Sequence, residues 1–322
     1  MKILLTEPLI ELVDNAGLDI LRKMGTINVA SGTSEDNLIK EAKDTDAIVV
    51  RMAKITGRII ESADKLKVIA RTGVGVDNID VVAATGKKIM VVNLPVMNTD
   101  SVAEHVLCLI LAMAKNLLEF DREVRKGNWG IRDKLLPKNI DLAGKTLGIV
   151  GLGTIGMAVA RKAKGLNMRI VYQSRRRKAD AEKELGIEYT DLQTLLKEAD
   201  FITVHVALAK ETERMFGEEE FKAMKKTAYF INTSRGGVVD QRALYAALEG
   251  RRIAGAALDV FEEEPIRATD PILKLQNLVV TPHVAGHTKD SRIKMIVTLA
   301  EDVVRALNGK TPVNLVNKDA LR

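Results

Sequence analysis

The sequence has only one cysteine in 322 residues. A chain with one cysteine cannot form an intramolecular disulfide, which excludes the disulfide-stabilised scaffolds of small secreted domains. The cysteine, Cys108, lies in the apolar run 106–114, and this setting favours a buried thiol over a reactive nucleophile. Aromatic residues are also scarce, at 3%, so aliphatic side chains must supply most of the core.

The sequence also lacks a long apolar run. None approaches the roughly 18 residues that a membrane-spanning helix needs, and Glu7 and Pro8 interrupt the apolar N-terminal stretch, unlike a signal peptide. The net charge of +6 comes from 49 basic and 43 acidic residues, and no basic stripe is interleaved with aromatics. We therefore expect a cytoplasmic protein that binds neither membranes nor nucleic acids. Its mild positive charge suits small anionic ligands.

Short runs rich in β-branched residues alternate with amphipathic helical patterns along the whole chain. Nearly continuous apolar strands separated by helices indicate parallel sheets that helices cover on both faces. The fold class is therefore α/β, with two doubly wound parallel-sheet domains. We predict strands at 3–7, 47–51, 67–72 and 89–94 in the first domain, and at 146–150, 169–173, 201–206, 228–233, 253–260 and 277–282 in the second.

Two long helical patterns mark how the domains are joined. Residues 99–120 form one pattern that is apolar almost all round, so we expect a helix that is buried on most sides. Such a helix either bridges two domains or forms a subunit interface, and we predict a homodimer built around it. A second pattern, 290–309, leads to a tail, 311–317, that can return to the first sheet. We therefore place the first domain at 1–98 plus 289–322, and the second at 99–288.

A GxGxxG sequence directly follows the first strand of the second domain and opens a helical pattern. In this setting the motif predicts a dinucleotide site. Gly151 permits the tight turn, Gly153 lets the backbone approach a pyrophosphate, and Gly156 allows the helix to pack closely on the strand. Thr154 and Ile155 complete the loop, whose N–H groups and positive helix end hold the pyrophosphate.

An NAD enzyme usually carries an acidic residue at the end of the next strand, where it accepts hydrogen bonds from the ribose diol. Here that position is Ser174, 18 residues after Gly156, and Arg175 and Arg176 follow it. A basic run can be a solvated face. At this position, however, Ser and Arg side chains can bind the 2′-phosphate of NADP, which a carboxylate would repel. We therefore predict that NADP(H) is preferred and that NAD(H) can also bind.

Six motifs occur in a fixed order along the chain: RTGVGVDNID (71–80), GLGTIG (151–156), INTSRGGVVD (231–240), GAALDVFEEEP (255–265), TPHVAG (281–286) and TPVNLVN (311–317). Together they resemble the D-isomer-specific 2-hydroxyacid dehydrogenases. The phosphoglycerate dehydrogenase and hydroxypyruvate/glyoxylate reductase branches are the most similar. The resemblance implies a flavodoxin-like substrate domain, a Rossmann dinucleotide-binding domain, and an NAD(P)-dependent oxidoreductase acting on a CH–OH group.

The resemblance assigns Arg235, Glu264 and His283 as the catalytic triad, and the chemistry of the reaction agrees. Reduction of a 2-oxo acid needs a hydride on the carbonyl carbon and a proton on its oxygen. His283 is the expected proton donor because imidazole titrates near neutral pH, and an adjacent Glu264 favours the imidazolium form. Arg235 can hold the carboxylate and carbonyl of the substrate, which orients the reacting carbon.

The resemblance also implies which groups bind the two ligands. The backbone N–H groups of Val74 and Gly75 are expected to bind the substrate carboxylate, and Asn98 is expected to line the substrate entrance. Thr233 and Asp259 are expected to contact the cofactor, with Asp259 at the nicotinamide carboxamide. No metal site is predicted.

The physiological substrate stays open at this point. In the phosphoglycerate branch, arginines at the positions of Arg51 and Arg71 bind phosphate, although surface ion pairs would also account for them. We favour hydroxypyruvate or glyoxylate, because the chain ends without the regulatory domain common in phosphoglycerate dehydrogenases. The alternative is a D-3-phosphoglycerate dehydrogenase that lacks this domain. A non-catalytic, dinucleotide-sensing scaffold similar to corepressors is a further alternative, which the complete triad disfavours.

Overall fold

The computed structural model describes residues 1–8, 15–94 and 97–322 of the chain. These residues divide into two compact units. Unit 1 comprises Met1–Asn98 and His287–Arg322, and unit 2 comprises Thr99–Gly286. Each unit is built on its own β-sheet.

The described residues form twelve β-strands and thirteen α-helices. The strands are β1 (Lys2–Leu5), β2 (Thr26–Val29), β3 (Ala47–Val50), β4 (Val68–Arg71), β5 (Met90–Val92), β6 (Thr146–Val150), β7 (Arg169–Gln173), β8 (Glu188–Tyr189), β9 (Phe201–Val204), β10 (Tyr229–Asn232), β11 (Gly255–Leu258) and β12 (Leu278–Val280). The helices are α1 (Ala16–Arg22), α2 (Glu35–Ala42), α3 (Gly57–Ser62), α4 (Val81–Gly86), α5 (Thr99–Ala114), α6 (Leu117–Arg125), α7 (Ile131–Leu135), α8 (Thr154–Lys164), α9 (Ala179–Leu185), α10 (Leu192–Glu198), α11 (Glu218–Ala223), α12 (Gln241–Glu249) and α13 (Lys289–Leu307).

The sheet of unit 1 has the strand order β2-β1-β3-β4-β5, and every neighbouring pair is parallel. This is the flavodoxin-type order, whose switch point lies between β1 and β3. Successive residues of β3 face opposite sides, so Val49 joins the core that α1 and α13 cover, whereas Ile48 joins the core that α2 and α3 cover. The C-terminal tail, 311–317, returns to this sheet as predicted. Its Leu315 forms an antiparallel bridge with Val92 of β5.

The sheet of unit 2 has the order β12-β11-β10-β9-β6-β7-β8, again with every pair parallel. Counted from β6, this is the Rossmann order 3-2-1-4-5-6 with β12 added at one edge. All residues of β6 are buried, as a central strand covered on both faces requires. The predicted α/β fold with two doubly wound parallel sheets is thus confirmed.

Ten of these strands correspond to the predicted ones, most of them shorter than predicted. The other two, β2 and β8, lie outside the predicted set, and both are at sheet edges. β2 is largely exposed, and β8 has only two residues, both exposed. Neither strand therefore carries the buried apolar run from which the others can be predicted.

The prediction of one continuous helix over 99–120 is wrong. α5 ends at Ala114, α6 begins at Leu117, and the two helices are bent by 61° relative to each other. Asn116 lies between them with a φ of +48°, a left-handed conformation that ends a helix. α5 is largely buried, as predicted, whereas α6 has no buried residue.

The prediction of a buried Cys108 thiol is also wrong, because Cys108 is exposed. α5 packs against α8 with its opposite face, which carries Val106 and Ile110. Glu104, Cys108 and Leu111 are spaced by four and three residues and are all exposed. This spacing places them on one solvent-facing stripe of the helix.

No single helix among the described residues is long and apolar enough to cross a membrane. Within the described ranges, one bent pair, α5 and α6 taken together, meets the requirements of length and composition. α5 contributes eight buried residues to unit 2, so within this fold it is a core helix.

Candidate active site

The glycine-rich loop connects the C-terminal end of β6 to α8. Gly151 has a φ of +98°, and a Cβ atom there would lie 2.8 Å from the carbonyl oxygen of His205. A Cβ atom at Gly156 would lie 2.2 Å from the carbonyl oxygen of Gly151. A larger residue at either position would push the loop or α8 away from the sheet, so the geometry requires glycine at both.

The N-terminus of α8 is suited to a pyrophosphate. Gly153 is its N-cap residue, and apart from Gly153 and its two chain neighbours no described residue has an atom within 4 Å of the place where a Cβ of Gly153 would be. The first N–H groups of a helix, here those of Thr154 and Ile155, have no acceptor within the helix. These N–H groups and the helix dipole favour a bound anion. The residues present therefore fit the pyrophosphate of a dinucleotide.

The loop after β7 carries the predicted 2′-phosphate site. Ser174 donates a hydrogen bond from its hydroxyl to the carbonyl oxygen of Arg176 at 2.6 Å. The side chains of Arg175 and Arg176 are exposed, and neither has a partner in the described part of the chain. Arg177 differs, because its guanidinium forms an ion pair with Glu182 at 2.7 Å. The loop thus offers two uncommitted guanidinium groups to an anion.

Glu182, on α9, keeps a negative charge near this loop. Hydrogen bonds from Arg177 and from the hydroxyl of Tyr172 lower the pKa of Glu182 to about 2. The Tyr172 hydroxyl in turn accepts a hydrogen bond from the N–H of Lys178 at 2.7 Å. Because Arg177 compensates Glu182, the positive charge that the loop can offer a ligand comes from Arg175 and Arg176.

His283 and Glu264, both in unit 2, form a close pair. Nδ1 of His283 lies 2.6 Å from Oε2 of Glu264, and Oε1 of Glu264 accepts a hydrogen bond from the N–H of Phe261 at 3.0 Å. Burial raises the pKa of Glu264, but these hydrogen bonds and the charges of His283 and Arg235 outweigh it, so the pKa lies below its ordinary value. Glu264 is therefore a carboxylate at neutral pH that fixes the orientation of the imidazole ring.

A turn after β10 presents Arg235. Asn232, which is fully buried at the end of that strand, accepts hydrogen bonds from the N–H and hydroxyl of Ser234 and donates one to the carbonyl oxygen of Arg235. Sequence reasoning assigned no role to Asn232, although an Asn before Ser and Gly after a strand is a signal for this kind of turn. Oγ1 of Thr233 is buried without a hydrogen-bond partner among the described residues. Such atoms are rare in native proteins, so this hydroxyl oxygen is available to a ligand.

Asp259 follows β11 and is only 1% exposed. Its Oδ1 accepts a hydrogen bond from the hydroxyl of Thr281 at 2.5 Å, and Nε2 of His105 lies 3.1 Å from that hydroxyl oxygen. His105, on α5, was not found by sequence reasoning, because a histidine within an apolar helix belongs to no motif. The carboxylate of Asp259 is thus engaged by protein groups, and its contact with a nicotinamide carboxamide stays a prediction.

Comparison with known proteins places this geometry in a family. The NAD-binding domain of the D-isomer specific 2-hydroxyacid dehydrogenases matches residues 107–285. A glyoxylate reductase from Korarchaeum cryptofilum is 46% identical over 90% of this chain and 88% of its own. A D-3-phosphoglycerate dehydrogenase from Archaeoglobus fulgidus is 41% identical over 98% of this chain but 59% of its own. The crystal structure of D-lactate dehydrogenase from Aquifex aeolicus, with NAD and lactic acid, has a TM-score of 0.89 at 31% identity and covers 98% of this chain and 99% of its own.

The chain belongs to the D-isomer specific 2-hydroxyacid dehydrogenase family. It is therefore an oxidoreductase that acts on a CH–OH group with a nicotinamide dinucleotide as cofactor, and the enzyme class predicted from the six motifs is confirmed. In the described part of this dehydrogenase, no group of three or more His, Cys, Asp or Glu side chains could hold a metal ion.

The dehydrogenase carries three of the predicted substrate-binding residues in the loops of unit 1. Val74 and Gly75 follow β4, and no described residue accepts a hydrogen bond from their N–H groups. Oδ1 of Asn98 is buried and likewise has no partner among the residues described. These donors and this acceptor are therefore available to a ligand.

The two arginines predicted to bind phosphate differ in their surroundings. Arg51 directly follows β3, and its side chain has no partner within the described ranges. Arg71 is the last residue of β4, and its Nε donates a hydrogen bond to Oδ1 of Asn78 at 3.2 Å. Arg71 is thus held in place by the protein, whereas Arg51 is not.

Proposed function

We propose that this dehydrogenase reduces glyoxylate or hydroxypyruvate to the corresponding 2-hydroxy acid, with D configuration where the product is chiral. The observation that carries the proposal is the 2.6 Å contact between His283 and Glu264, with the charge of Arg235 nearby. The glyoxylate reductase of K. cryptofilum, which spans nearly the whole chain, supports a short substrate.

Bound NAD(P)H supplies the hydride that the carbonyl carbon receives. His283 gives its proton to the carbonyl oxygen, and the carboxylate of Glu264 stabilises the imidazolium before the transfer. Arg235 binds the substrate carboxylate and orients the carbonyl group. In balance, one 2-oxo acid, one NAD(P)H and one proton give one 2-hydroxy acid and one NAD(P)⁺.

The remaining predicted residues bind the two ligands. The N–H groups of Val74 and Gly75 hold the substrate carboxylate, and Asn98 lines the substrate entrance. Thr233 and Asp259 contact the cofactor. Among the described residues, the N–H groups of Val74 and Gly75 and the buried oxygens of Asn98 and Thr233 have no hydrogen-bond partner, which supports these roles.

A second candidate substrate is phosphohydroxypyruvate, which would make the chain a D-3-phosphoglycerate dehydrogenase. Arg51 supports it, because its guanidinium has no partner among the described residues. Arg71 lies one strand away and adds a second positive charge. The similarity to the A. fulgidus phosphoglycerate dehydrogenase also favours this substrate.

We also propose that the enzyme is a cytoplasmic homodimer and that it prefers NADP(H). Its substrate-binding domain is proposed to comprise 1–98 plus 289–322, and its dinucleotide-binding domain 99–288. A single cysteine fits a reducing compartment. A group of exposed apolar side chains on one segment of unit 2 supports the dimer, since such surfaces mark interfaces. They are Leu111, Leu117, Leu118, Val124, Trp129 and Leu136.

The decisive experiment is a reductase assay with NADPH and NADH against glyoxylate, hydroxypyruvate, pyruvate and phosphohydroxypyruvate. We expect the highest kcat/KM for glyoxylate or hydroxypyruvate, and a product of D configuration from hydroxypyruvate. A higher kcat/KM for phosphohydroxypyruvate would favour the second candidate. No reduction of any of the four acids would overturn the proposal.

A further inference from the structure

Within unit 2, the buried face of α5 carries a polar ring. His105 lies between Val102, one turn before it, and Leu109, one turn after it, which are only 5% and 3% exposed. The side chain of His105 is 21% exposed, and α5 packs against β10 and β11 of the same unit. An imidazole among buried aliphatic side chains needs a hydrogen-bond partner. The mechanism above gives this residue no role.

The partner of the ring is the hydroxyl of Thr281, and its other contact decides which atom donates. Thr281 donates its single hydroxyl proton to Oδ1 of Asp259 at 2.5 Å. Its oxygen lies 3.1 Å from Nε2 of His105 and can therefore only accept from that nitrogen. Nε2 of His105 must then carry a proton. The three side chains form a hydrogen-bond chain that runs from His105 through Thr281 to Asp259.

The carboxylate at the end of this chain keeps acceptor capacity on one side. Oδ1 of Asp259 accepts from Thr281 and from the N–H of Val284, whereas Oδ2 accepts, among the described residues, from the N–H of Ala285 alone. Each carboxylate oxygen can accept about two hydrogen bonds, so Oδ2 can take one more, from the amide of the nicotinamide carboxamide. Val284 and Ala285 directly follow His283, so a shift of this carboxylate would also move the proposed proton donor.

We propose that His105 is a positioning residue for the dehydrogenase reaction. Through Thr281 it fixes the carboxylate of Asp259 for contact with the nicotinamide, and it holds the turn that carries His283. The inference rests on the proposed function for the roles of Asp259 and His283. It also explains why a polar ring occupies a helix face that is otherwise lined by buried aliphatic side chains.

The protonation of the His105 ring tests the hydrogen-bond chain without turnover. Two-bond proton–nitrogen correlation spectra of protein labelled with nitrogen-15 in its histidines report which ring nitrogen carries a proton, and the sequence has only four histidines. The signals lost in His105→Gln assign the ring. We expect Nε2 of His105 to be protonated at pH 7.5. A ring protonated at Nδ1 alone would overturn the proposal, because the oxygen of Thr281 would then face an acceptor.

Cofactor binding separates positioning from general stability. His105→Phe keeps an aromatic ring but removes the donor, and 2′-phospho-ADP-ribose is NADPH without its nicotinamide. We expect His105→Phe to weaken NADPH binding about 3- to 10-fold, as the loss of one hydrogen bond should. Binding of the fragment should stay within about 2-fold of wild type. NADH and ADP-ribose form the corresponding pair if NAD is preferred. Equal effects on the dinucleotide and its fragment, including none, would overturn the proposal.

Single and double variants test the route through Thr281. We expect His105→Phe to lower kcat about 10-fold, and His105→Gln, whose amide can still donate, to retain most of the activity. Thr281→Val should lower kcat to a similar extent. Adding His105→Phe to it should cost less than about 2-fold more, because both changes break the same hydrogen-bond chain. Losses that multiply in the double variant would contradict this route.

Val106→Ala is the matched control for packing. Val106 is the next residue on α5 and is fully buried, so its truncation lowers Tm through lost packing. It should leave kcat and both affinities within about 2-fold of wild type, and the same split between dinucleotide and fragment in this variant would overturn the proposal. If His105→Phe does not fold, the binding comparison on Thr281→Val decides. A wild type that reduces no 2-oxo acid refutes the proposed function, whereas the spectra and the binding comparison still decide the role of His105.

Discussion

The N–H of His283 donates a hydrogen bond to the carbonyl oxygen of Asp259 at 2.8 Å. His283 has a φ of +53°, a left-handed conformation that costs a residue other than glycine about 1–2 kcal/mol. The carboxylate of Asp259 also accepts hydrogen bonds from the N–H groups of Val284 and Ala285, both at 2.9 Å. Asp259 thus holds the strained turn that carries the proposed proton donor.

We predict that Asp259→Asn lowers both stability and turnover. The new amide group cannot accept hydrogen bonds on both sides, so at least one N–H of the turn loses its partner, at a cost of about 1–3 kcal/mol. His283 then loses its fixed position, and we expect kcat to fall about 10-fold or more. Thermal unfolding and steady-state kinetics measure the two effects.

A matched control exists in unit 1. Asp302 is 2% exposed, and its carboxylate accepts hydrogen bonds from the N–H groups of Val313 and Asn314. Asp302→Asn should therefore lower Tm to a similar extent and leave kcat within about 2-fold of wild type. Equal losses of kcat in the two variants would mean that Asp259 acts only through general stability.

For His283→Ala we predict a loss of turnover of about 100-fold or more, because a general acid contributes a factor of this size. Cofactor affinity should persist, since the glycine-rich loop is unchanged, and NADPH fluorescence titration measures it. Glu264→Gln removes the charge that stabilises the imidazolium at a nearly constant side-chain volume, so it should retain more activity than His283→Ala. Near wild-type kcat in His283→Ala would rule out the assigned role.

The sequence predicts the chemistry of the site better than its supporting contacts. The spacing of the glycine-rich motif locates Gly151, because close approach of the ligand constrains the residue type there. The same spacing leads to Ser174, whose contact with the cofactor stays a prediction. His105 contacts Thr281 across 176 positions of the chain. Only the packing of α5 against the sheet of unit 2 creates this contact, and no local pattern encodes it.

The break between α5 and α6 shows the same limit for secondary structure. Apolar periodicity continues through Asn116, so the pattern predicts one helix over 99–120. The left-handed backbone of Asn116 ends α5. Asn can mark the end of a helix in sequence, but the apolar residues that follow Asn116 continue the helical pattern. A helical pattern in the sequence therefore locates a helix more reliably than it locates the residues at which the helix ends.

Exposed apolar residues on α6 lead to a prediction about assembly. Leu117 and Leu118 are 58% and 54% exposed, so we expect them to lie in a homodimer interface.

Light scattering at micromolar concentration should give twice the mass of the chain for wild type. Leu117→Lys combined with Leu118→Glu should give a monomer. Val82→Lys, at an 84% exposed position in unit 1, is the control and should remain dimeric. A monomeric, fully active wild type would refute the interface.

His205 predicts a dependence of stability on acid pH. Burial lowers the pKa of His205 from 6.5 to about 4, and its Nε2 lies 3.0 Å from Oγ1 of Thr203. Below pH 6.5 the unfolded chain binds a proton at this residue that the folded protein does not, so stability falls as pH decreases towards 4. The linked loss in unfolding free energy is about 1–3 kcal/mol.

Urea unfolding of wild type and His205→Gln at pH 7.5 and 5 tests this. Gln can retain the contact with Thr203 but does not titrate, so its stability should fall less between the two pH values. Lys210→Gln, at an exposed position, is the control. Its stability should fall between the two pH values by as much as that of wild type. Parallel losses in wild type and His205→Gln would show that other groups cause the acid sensitivity.

We predict that the enzyme prefers NADPH to NADH by about 10- to 100-fold in kcat/KM. Arg175 and Arg176 have no partners in the described part of the chain, and Ser174 stands where a carboxylate would hold the ribose diol. Ser174→Asp combined with Arg175→Ala should therefore bring the ratio close to or below one. Arg177→Ala combined with Glu182→Gln is the matched control, because it removes an ion pair without changing the net charge of the loop, and it should leave the ratio unchanged.

The geometry of the loop decides how these variants should differ. The hydroxyl of Ser174 donates to the carbonyl oxygen of Arg176, so it must rotate to donate to a phosphate, and the guanidinium groups should carry most of the preference. Since both are exposed, their attraction is screened, and the NADPH/NADH ratio should shrink as NaCl rises from 0.05 to 0.5 M. A wild-type ratio at or below one contradicts the prediction. A double variant that keeps its NADPH preference would place the 2′-phosphate contact outside this loop.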